Sequence, residues 1–157
     1  MKYDVHASHI RWTGNTGQGP TSYCGYVRDW DIAVPGKPAV SCSNDPLPGE
    51  LRQDEPEDLL LSALSSCHML WYMHLAPNAG ITVTATDDTP EGTGEISASG
   101  AGSFVSALLR PMVTVKPGAD LERAAASHHE IHDACFIARS VKFSAEIDPQ
   151  FVIEPVE

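Results

Sequence analysis

The fold of this chain is decided by one stretch, P-E-D-L-L-L-S-A-L-S-S-C-H-M-L-W-Y-M-H-L, which occupies residues 56–75. Apolar side chains fall on nearly every face of a helix drawn through it, and such a helix must be buried. Pro56 suits a first helical turn after the possible cap Asp54, and Glu57 places negative charge at the positive helix end. Residues 77–80, P-N-A-G, end the helix. The stretch therefore predicts a central buried helix that begins at Pro56.

Short strands and a second helix are predicted around this central helix. The prolines and glycines of residues 35–54 predict a long surface loop. Leu121 to about Ser140 has helix-forming composition after the cap candidate Asp120. The order of elements predicts an α+β fold with mostly antiparallel sheet. The strands are predicted at residues 3–13, 22–28, 30–34, 81–86, 95–99, 104–116 and 141–147.

Size and charge exclude several classes of protein. A chain of 157 residues with 42% apolar residues predicts one domain over residues 1–157. With 21 acidic against 10 basic side chains, the formal charge is −11, which argues against a nucleic-acid partner. The N-terminus lacks the apolar core of a signal peptide, and no run was expected to approach the roughly 20 apolar residues of a spanning helix. The expectation is a cytoplasmic protein with no membrane partner.

The chain has four cysteines, Cys24, Cys42, Cys67 and Cys135. They are too few and too scattered for a disulfide-stapled scaffold, and they form no C-x-x-C pair. A free cysteine is commonly a small core hydrophobe, and packing is the prediction for Cys24 and Cys42. For Cys67 and Cys135 the surrounding sequence indicates more than packing.

Two segments resemble the OsmC/Ohr family, the osmotically inducible and organic hydroperoxide resistance proteins. Residues 56–67, P-E-D-L-L-L-S-A-L-S-S-C, are similar to the family pattern N-P-E-x-L followed by A-x-x-x-C. Residues 128–140, H-H-E-I-H-D-A-C-F-I-A-R-S, resemble its A-H-x-x-C-x-x-S segment. His68 stands where the family often has phenylalanine, and Phe136 stands where it often has proline. The resemblance places the chain in a side branch of the family.

This resemblance implies an intertwined homodimer with two central helices and a thiol peroxidase activity toward organic hydroperoxides. Cys67 would attack the peroxide and Cys135 would close a disulfide with it, re-reduced by an external dithiol of the lipoyl type. An arginine held by Glu57 would face Cys67, with Arg28 as the first choice and Arg11 as the second. A helix rises about 1.5 Å per residue, so Glu57 lies roughly 15 Å from Cys67 and acts from a folded-back helix start or from the partner subunit. No bound cofactor is expected, because the two sulfurs carry the redox cycle.

Two other functions compete with this one. His128 and His132 have the i, i+4 spacing of one helical face, and Cys135 follows, so a zinc or iron site is an alternative. A non-catalytic protein that binds a small molecule on the same fold is the other alternative. Elemental analysis addresses the first alternative, and the activity of Cys67→Ser addresses the second.

Overall fold

The computed structural model describes residues 3–15, 17–22, 26–44 and 54–155. The chain divides into two compact units, residues 1–59 and 60–157. The predicted α+β class is confirmed, with two α-helices and three three-stranded sheets in the described residues. The single domain over residues 1–157 stays a prediction.

The first unit contains an antiparallel sheet with strand order β1-β2-β3. Trp12 pairs with Trp30 across β1 and β2, and its indole N–H donates to the Val27 carbonyl over 2.9 Å. A Cβ on Gly14 would fall 1.9 Å from that carbonyl oxygen, so glycine allows this close approach. The strands are β1 His9–Trp12, β2 Asp29–Ala33 and β3 Val40–Ser43.

Two sequence expectations for this unit are wrong. Residues 22 and 26–28 form no strand, and the predicted strand also covers residues 23–25, outside the described residues. The expected loop over residues 35–54 contains β3, because Val40–Ser43 can pair with β2 between the flanking proline-rich segments. Residues 45–53 of that loop and Cys24 lie outside the described residues.

The central helix α1 runs over Pro56–Leu75, as predicted, and continues in a 3₁₀ turn, Ala76–Ala79. Gly80 ends this turn in the left-handed conformation, with φ of 77°, and its N–H bonds back to the turn. By length and composition α1 could cross a membrane, so the expectation that no stretch approaches that length is wrong. Leu64, His68 and Tyr72 are nevertheless buried within the protein, so one face of α1 packs on the core. Leu70 and Met73 are exposed, so the prediction of a helix buried on nearly every face is wrong for this unit.

The second unit has two sheets, with strand orders β4-β7-β9 and β5-β6-β8. In each sheet the first pair of strands is antiparallel and the second pair is parallel. The strands are β4 Val83–Asp87, β5 Glu91–Ile96, β6 Gly102–Leu109, β7 Met112–Val115, β8 Ser144–Ile147 and β9 Gln150–Ile153.

Several predicted strand limits in this unit are corrected. The single run 104–116 divides at Arg110-Pro111, because proline cannot donate to a ladder and the Arg110 N–H donates to the Asp88 carboxylate over 2.8 Å. The strand predicted at residues 95–99 is β5, which begins earlier, at Glu91, and contains Gly92. The Phe104 ring lies where a Cβ of Gly92 would be, so glycine allows this close packing. The strand β9 was not predicted.

The second helix, α2, covers Leu121–Glu130 and is ten residues long. Its cap is Asp120, whose side chain accepts from the Arg123 N–H over 3.0 Å, as predicted. The prediction that the helix reaches Ser140 is wrong, because residues 131–137 form turns. His132 and Asp133 are weak helix formers, so packing determines the backbone conformation there. Cys135 therefore lies in the turn segment that follows α2.

Candidate active site

The structure brings the sulfur atoms of two distant cysteines together. Cys67 on α1 and Cys135 after α2 have their Sγ atoms 2.7 Å apart, with the Cys135 thiol as the donor. The Ala138 N–H donates to the Cys135 sulfur over 3.4 Å. Both residues are free cysteines and both adjoin one apolar cluster around Ile131 and Val115. We call Cys67 and Cys135 the sulfur pair.

The two members of the sulfur pair differ in exposure. Cys67 is half-buried, whereas Cys135 is 1% exposed. Burial raises the pKa of the Cys135 thiol to about 11, and its hydrogen bond to Cys67 acts in the same direction. Cys135 therefore keeps its proton at neutral pH. Only Cys67 is partly open to a molecule that approaches from outside this unit.

Polar contacts hold α1 in place two residues before Cys67. The Ser65 hydroxyl donates to Asp88 over 2.5 Å, and the other carboxylate oxygen of Asp88 accepts the Arg110 N–H. Asp88 thereby ties α1 to the junction between β6 and β7.

A pair of histidines lies directly beside the sulfur pair. His68 Nε2 and His128 Nδ1 are 2.8 Å apart, and the two residues are 5% and 1% exposed. The Tyr72 ring stacks on His128 with centroids 3.9 Å apart, and its hydroxyl donates to the Ala124 carbonyl over 3.4 Å. Within the part of the chain that the structure describes, His128 Nε2 is buried without a hydrogen-bond partner. We call His68 and His128 the imidazole pair.

The imidazole pair is uncharged at neutral pH. Burial lowers the pKa of His68 to about 4, although the Asp88 carboxylate acts in the opposite direction. Burial lowers the pKa of His128 to about 3, and the neighbouring His68 and His129 act in the same direction. The hydrogen bond therefore joins one imidazole N–H to one imidazole lone pair.

Two cavities of the second unit meet at the imidazole pair. The first has a volume of 360 Å³ and is lined by Ser65, Asp88 and Met69 besides the two histidines. The second has a volume of 390 Å³ and is lined by Cys135, His132 and Glu146 besides the same histidines. Both volumes are within the range of small-molecule pockets.

The other predicted site residues belong to the first unit. Glu57 is exposed in the first turn of α1, ten residues before Cys67. The Arg28 guanidinium lies over the Tyr26 ring, 5.0 Å from its centroid. Arg11 makes a 3.0 Å ion pair with Asp31. The pairing of either arginine with Glu57 and Cys67 stays a prediction.

In the described residues, the geometry does not provide a set of ligands for the zinc or iron site considered as an alternative. His132 is exposed in a turn beyond the end of α2, so the helical i, i+4 spacing from His128 does not apply. The Nδ1 atom of His128 is already bonded to His68. Among the residues that the structure describes, no group of three or more His, Cys, Asp or Glu side chains could hold a metal ion.

The partnership of His68 and His128 was not predicted from the sequence. His68 was noted only as a replacement for phenylalanine, and His128 only as a possible metal ligand. The available signal was that both adjoin the cysteine-bearing segments, His68 directly after Cys67 and His128 seven residues before Cys135. Spacing alone could not pair them, since they are 60 residues apart in the chain.

Comparison with known proteins supports one family. A comparison with curated proteins gives no match. An OsmC-like protein of unknown function from Vibrio cholerae O1 biovar eltor is 26% identical, with a TM-score of 0.79 over 96% of this chain and 100% of that chain. The organic hydroperoxide resistance protein of Elizabethkingia anophelis is 14% identical, with a TM-score of 0.67 over 98% and 99%.

A more distant structure has the same fold. The organic hydroperoxide resistance protein OhrB of Bacillus subtilis is 13% identical, with a TM-score of 0.59 over 95% of this chain and 98% of that chain. The family model described as OsmC-like protein matches residues 53–150, which include both members of the sulfur pair and of the imidazole pair. This chain therefore belongs to the OsmC-like protein family.

Proposed function

We propose that this OsmC-like protein is a thiol peroxidase that reduces organic hydroperoxides with the sulfur pair. The observation that carries the proposal is the 2.7 Å separation of the Cys67 and Cys135 sulfurs. Because the two sulfurs are so near each other, a sulfenic acid on one can condense with the thiol of the other to form a disulfide without a large movement of the chain. The names of the structural relatives from Elizabethkingia and Bacillus agree with this chemistry.

The reaction divides into three balanced steps. The Cys67 thiolate attacks the terminal peroxide oxygen, the O–O bond breaks, and the products are Cys67 sulfenic acid and an alkoxide that takes a proton to become the alcohol. The Cys135 sulfur then attacks the Cys67 sulfur, which releases water and forms the disulfide. An external dithiol reduces the disulfide and is itself oxidised to a disulfide.

The difference in exposure supports the roles proposed for the two cysteines. Cys67 is half-buried and can meet a peroxide, whereas Cys135 is 1% exposed and keeps its proton because its pKa is raised to about 11. A protonated buried thiol is a poor nucleophile toward peroxide. Cys135 is therefore suited to the second step, in which it reacts with the sulfenic acid of Cys67, whose sulfur lies 2.7 Å away.

The form of a cysteine that reacts with peroxide is the thiolate, which a nearby cation stabilises. We assign this role to Arg28, oriented by Glu57 in the same or the partner subunit of a homodimer. Arg11, whose guanidinium makes a 3.0 Å ion pair with Asp31, is the second choice. Replacing each arginine by lysine and measuring the rate at which Cys67 reacts with peroxide distinguishes them. A lysine keeps the charge but loses the fixed planar fork.

The proposed reductant and the proposed cytoplasmic location are consistent with this chemistry. A protein that cycles between dithiol and disulfide needs a compartment that supplies reducing equivalents, which a cytoplasmic location provides. The proposed reductant is a lipoyl-type dithiol. The homodimer and this reductant are parts of the proposal.

The test is a peroxidase assay with dihydrolipoamide as the reductant. Wild type, Cys67→Ser and Cys42→Ala are compared with cumene hydroperoxide and with hydrogen peroxide. Cys42 is buried on β3 in the first unit and serves as a matched cysteine control. Wild type and Cys42→Ala are expected to reduce cumene hydroperoxide, and Cys67→Ser is not.

Mapping of the thiols by mass spectrometry completes the test. One equivalent of cumene hydroperoxide should convert reduced wild type into the Cys67–Cys135 disulfide. Both thiols still free after this treatment would rule out the proposed mechanism. Turnover that persists in Cys67→Ser would do the same, and the absence of turnover in wild type would favour the non-catalytic alternative.

A further inference from the structure

The sulfur pair and the imidazole pair connect the same two segments of the second unit. Cys67 and His68 are consecutive residues of α1. His128 lies in the last turn of α2, and Cys135 lies in the turn segment that follows. The two segments are therefore joined by two parallel contacts, of 2.7 Å between sulfurs and of 2.8 Å between ring nitrogens.

The imidazole contact is built as a directional hydrogen bond and not only as packing. Its two nitrogens are 2.8 Å apart and both rings are almost fully buried. A buried ring nitrogen that loses its hydrogen-bond partner costs free energy, so the bond resists separation of the two segments. Tyr72 stacks on His128 and adds a third contact between α1 and α2.

We propose that His68 and His128 are positioning residues that hold Cys135 against Cys67 and thereby set the reduction potential of the sulfur pair. The closer two thiols are held, the higher is their effective concentration toward each other and the more stable is the disulfide. The histidines act through this concentration and do not exchange electrons. The inference rests on the proposed redox role of the sulfur pair and adds a determinant of its potential.

Amide side chains provide a test that separates the hydrogen bond from simple filling of space. Asparagine can place a polar atom near the position of an imidazole Nδ1, and glutamine can place one near Nε2. The bond uses Nδ1 of His128 and Nε2 of His68. His128→Asn and His68→Gln should therefore keep the contact, whereas His128→Gln and His128→Leu should lose it.

The measurement is the equilibrium of the Cys67–Cys135 disulfide with glutathione redox buffers at pH 7. In this exchange two protein thiols become a disulfide while one glutathione disulfide becomes two thiols. We expect His128→Gln and His128→Leu to lower the equilibrium constant for disulfide formation about tenfold, which corresponds to a potential about 30 mV less negative. His128→Asn and His68→Gln should stay near the wild-type value.

His74→Gln is the matched control, because His74 is an exposed histidine of the same helix that lines neither cavity. Its potential should equal that of wild type. Thermal unfolding of every variant checks that the fold is kept. If His128→Leu does not fold, the comparison between the potentials of His128→Asn and His128→Gln still tests the positioning role.

Equal potentials in His128→Asn and His128→Gln would overturn the proposal, and so would a larger change in His128→Asn than in His128→Gln. His128→Asn also removes the unpartnered Nε2 atom, so a wild-type potential in this variant assigns the effect to Nδ1 alone. No peroxide enters these measurements. Failure of the peroxidase assay and failure of the positioning role are therefore distinguishable.

Discussion

The sulfur pair and the imidazole pair join the same segments but have opposite environments. Both histidines are 5% exposed or less, whereas Cys67 is half-buried and only Cys135 is fully enclosed. A group that reacts with an outside molecule must be approachable. A group that holds a position benefits from exclusion of water, because its hydrogen bond then has no competitor. Neighbouring residues of one helix can therefore serve reactivity and rigidity separately.

Of the changes considered, removal of the Cys135 thiol from the sulfur pair should reduce the activity most. Cys135→Ser should still react once with cumene hydroperoxide, because Cys67 remains, but the sulfenic acid then lacks its adjacent thiol. An external thiol replaces an intramolecular one, so steady-state turnover with dihydrolipoamide should fall on the order of 100-fold or more. Stopped-flow measurement of the first turnover, beside steady-state assays, checks both statements. Unchanged steady-state turnover would show that Cys135 does not resolve the sulfenic acid.

Acid should destabilise the folded protein through the imidazole pair. The folded-state pKa values of about 4 for His68 and about 3 for His128 are below the usual 6.5, so the unfolded chain binds more protons in this window. The free energy of unfolding should therefore fall as the pH decreases from 6.5 toward 4, by up to about 1.4 kcal/mol per pH unit for each histidine. Urea unfolding at a series of pH values measures this slope.

The double variant His68→Leu/His128→Leu is the reference for the acid experiment. Its slope between pH 6.5 and 4 should be smaller, since two of the groups that take up protons on unfolding are gone. Identical slopes in wild type and the double variant would mean that the pair does not govern acid stability.

Leu64 tests the packing on the buried face of α1. Leu64 is 1% exposed and packs in a cluster with Ala107 and Leu109. Leu64→Ala should lower the free energy of unfolding by about 2–5 kcal/mol, because a cavity remains. Leu64→Met conserves the volume and should cost less than about 1.5 kcal/mol. Chemical denaturation compares the two variants, and equal costs would argue against tight packing at this position.

The smallest effect concerns the hydroxyl beside the imidazole pair. Tyr72→Phe removes the 3.4 Å hydrogen bond to the Ala124 carbonyl but keeps the ring that stacks on His128. The expected cost is about 0.5–1.5 kcal/mol of unfolding free energy, with no change in the potential of the sulfur pair. Denaturation and the glutathione equilibrium test the two parts separately. A shifted potential would show that the hydroxyl contributes to positioning.

Much of the fold could be predicted, because local signals agree with it. The apolar run 56–75 and its proline start are strong helix signals, and the observed helix has the predicted limits. The cap Asp120 likewise marks the true start of α2. The end of α2 was predicted ten residues late, and β9 was missed, since both depend on packing and pairing with distant strands.

Local composition and spacing were enough to predict the α+β class, the limits of α1 and the two family-like cysteines. Only the tertiary structure decided that the sulfurs of Cys67 and Cys135 lie 2.7 Å apart and that His68 bonds to His128. Residues 60 and 68 positions apart meet only where helices and turns pack into one core. Such contacts have no local signature in the chain, since each is set by the sum of many packing interactions.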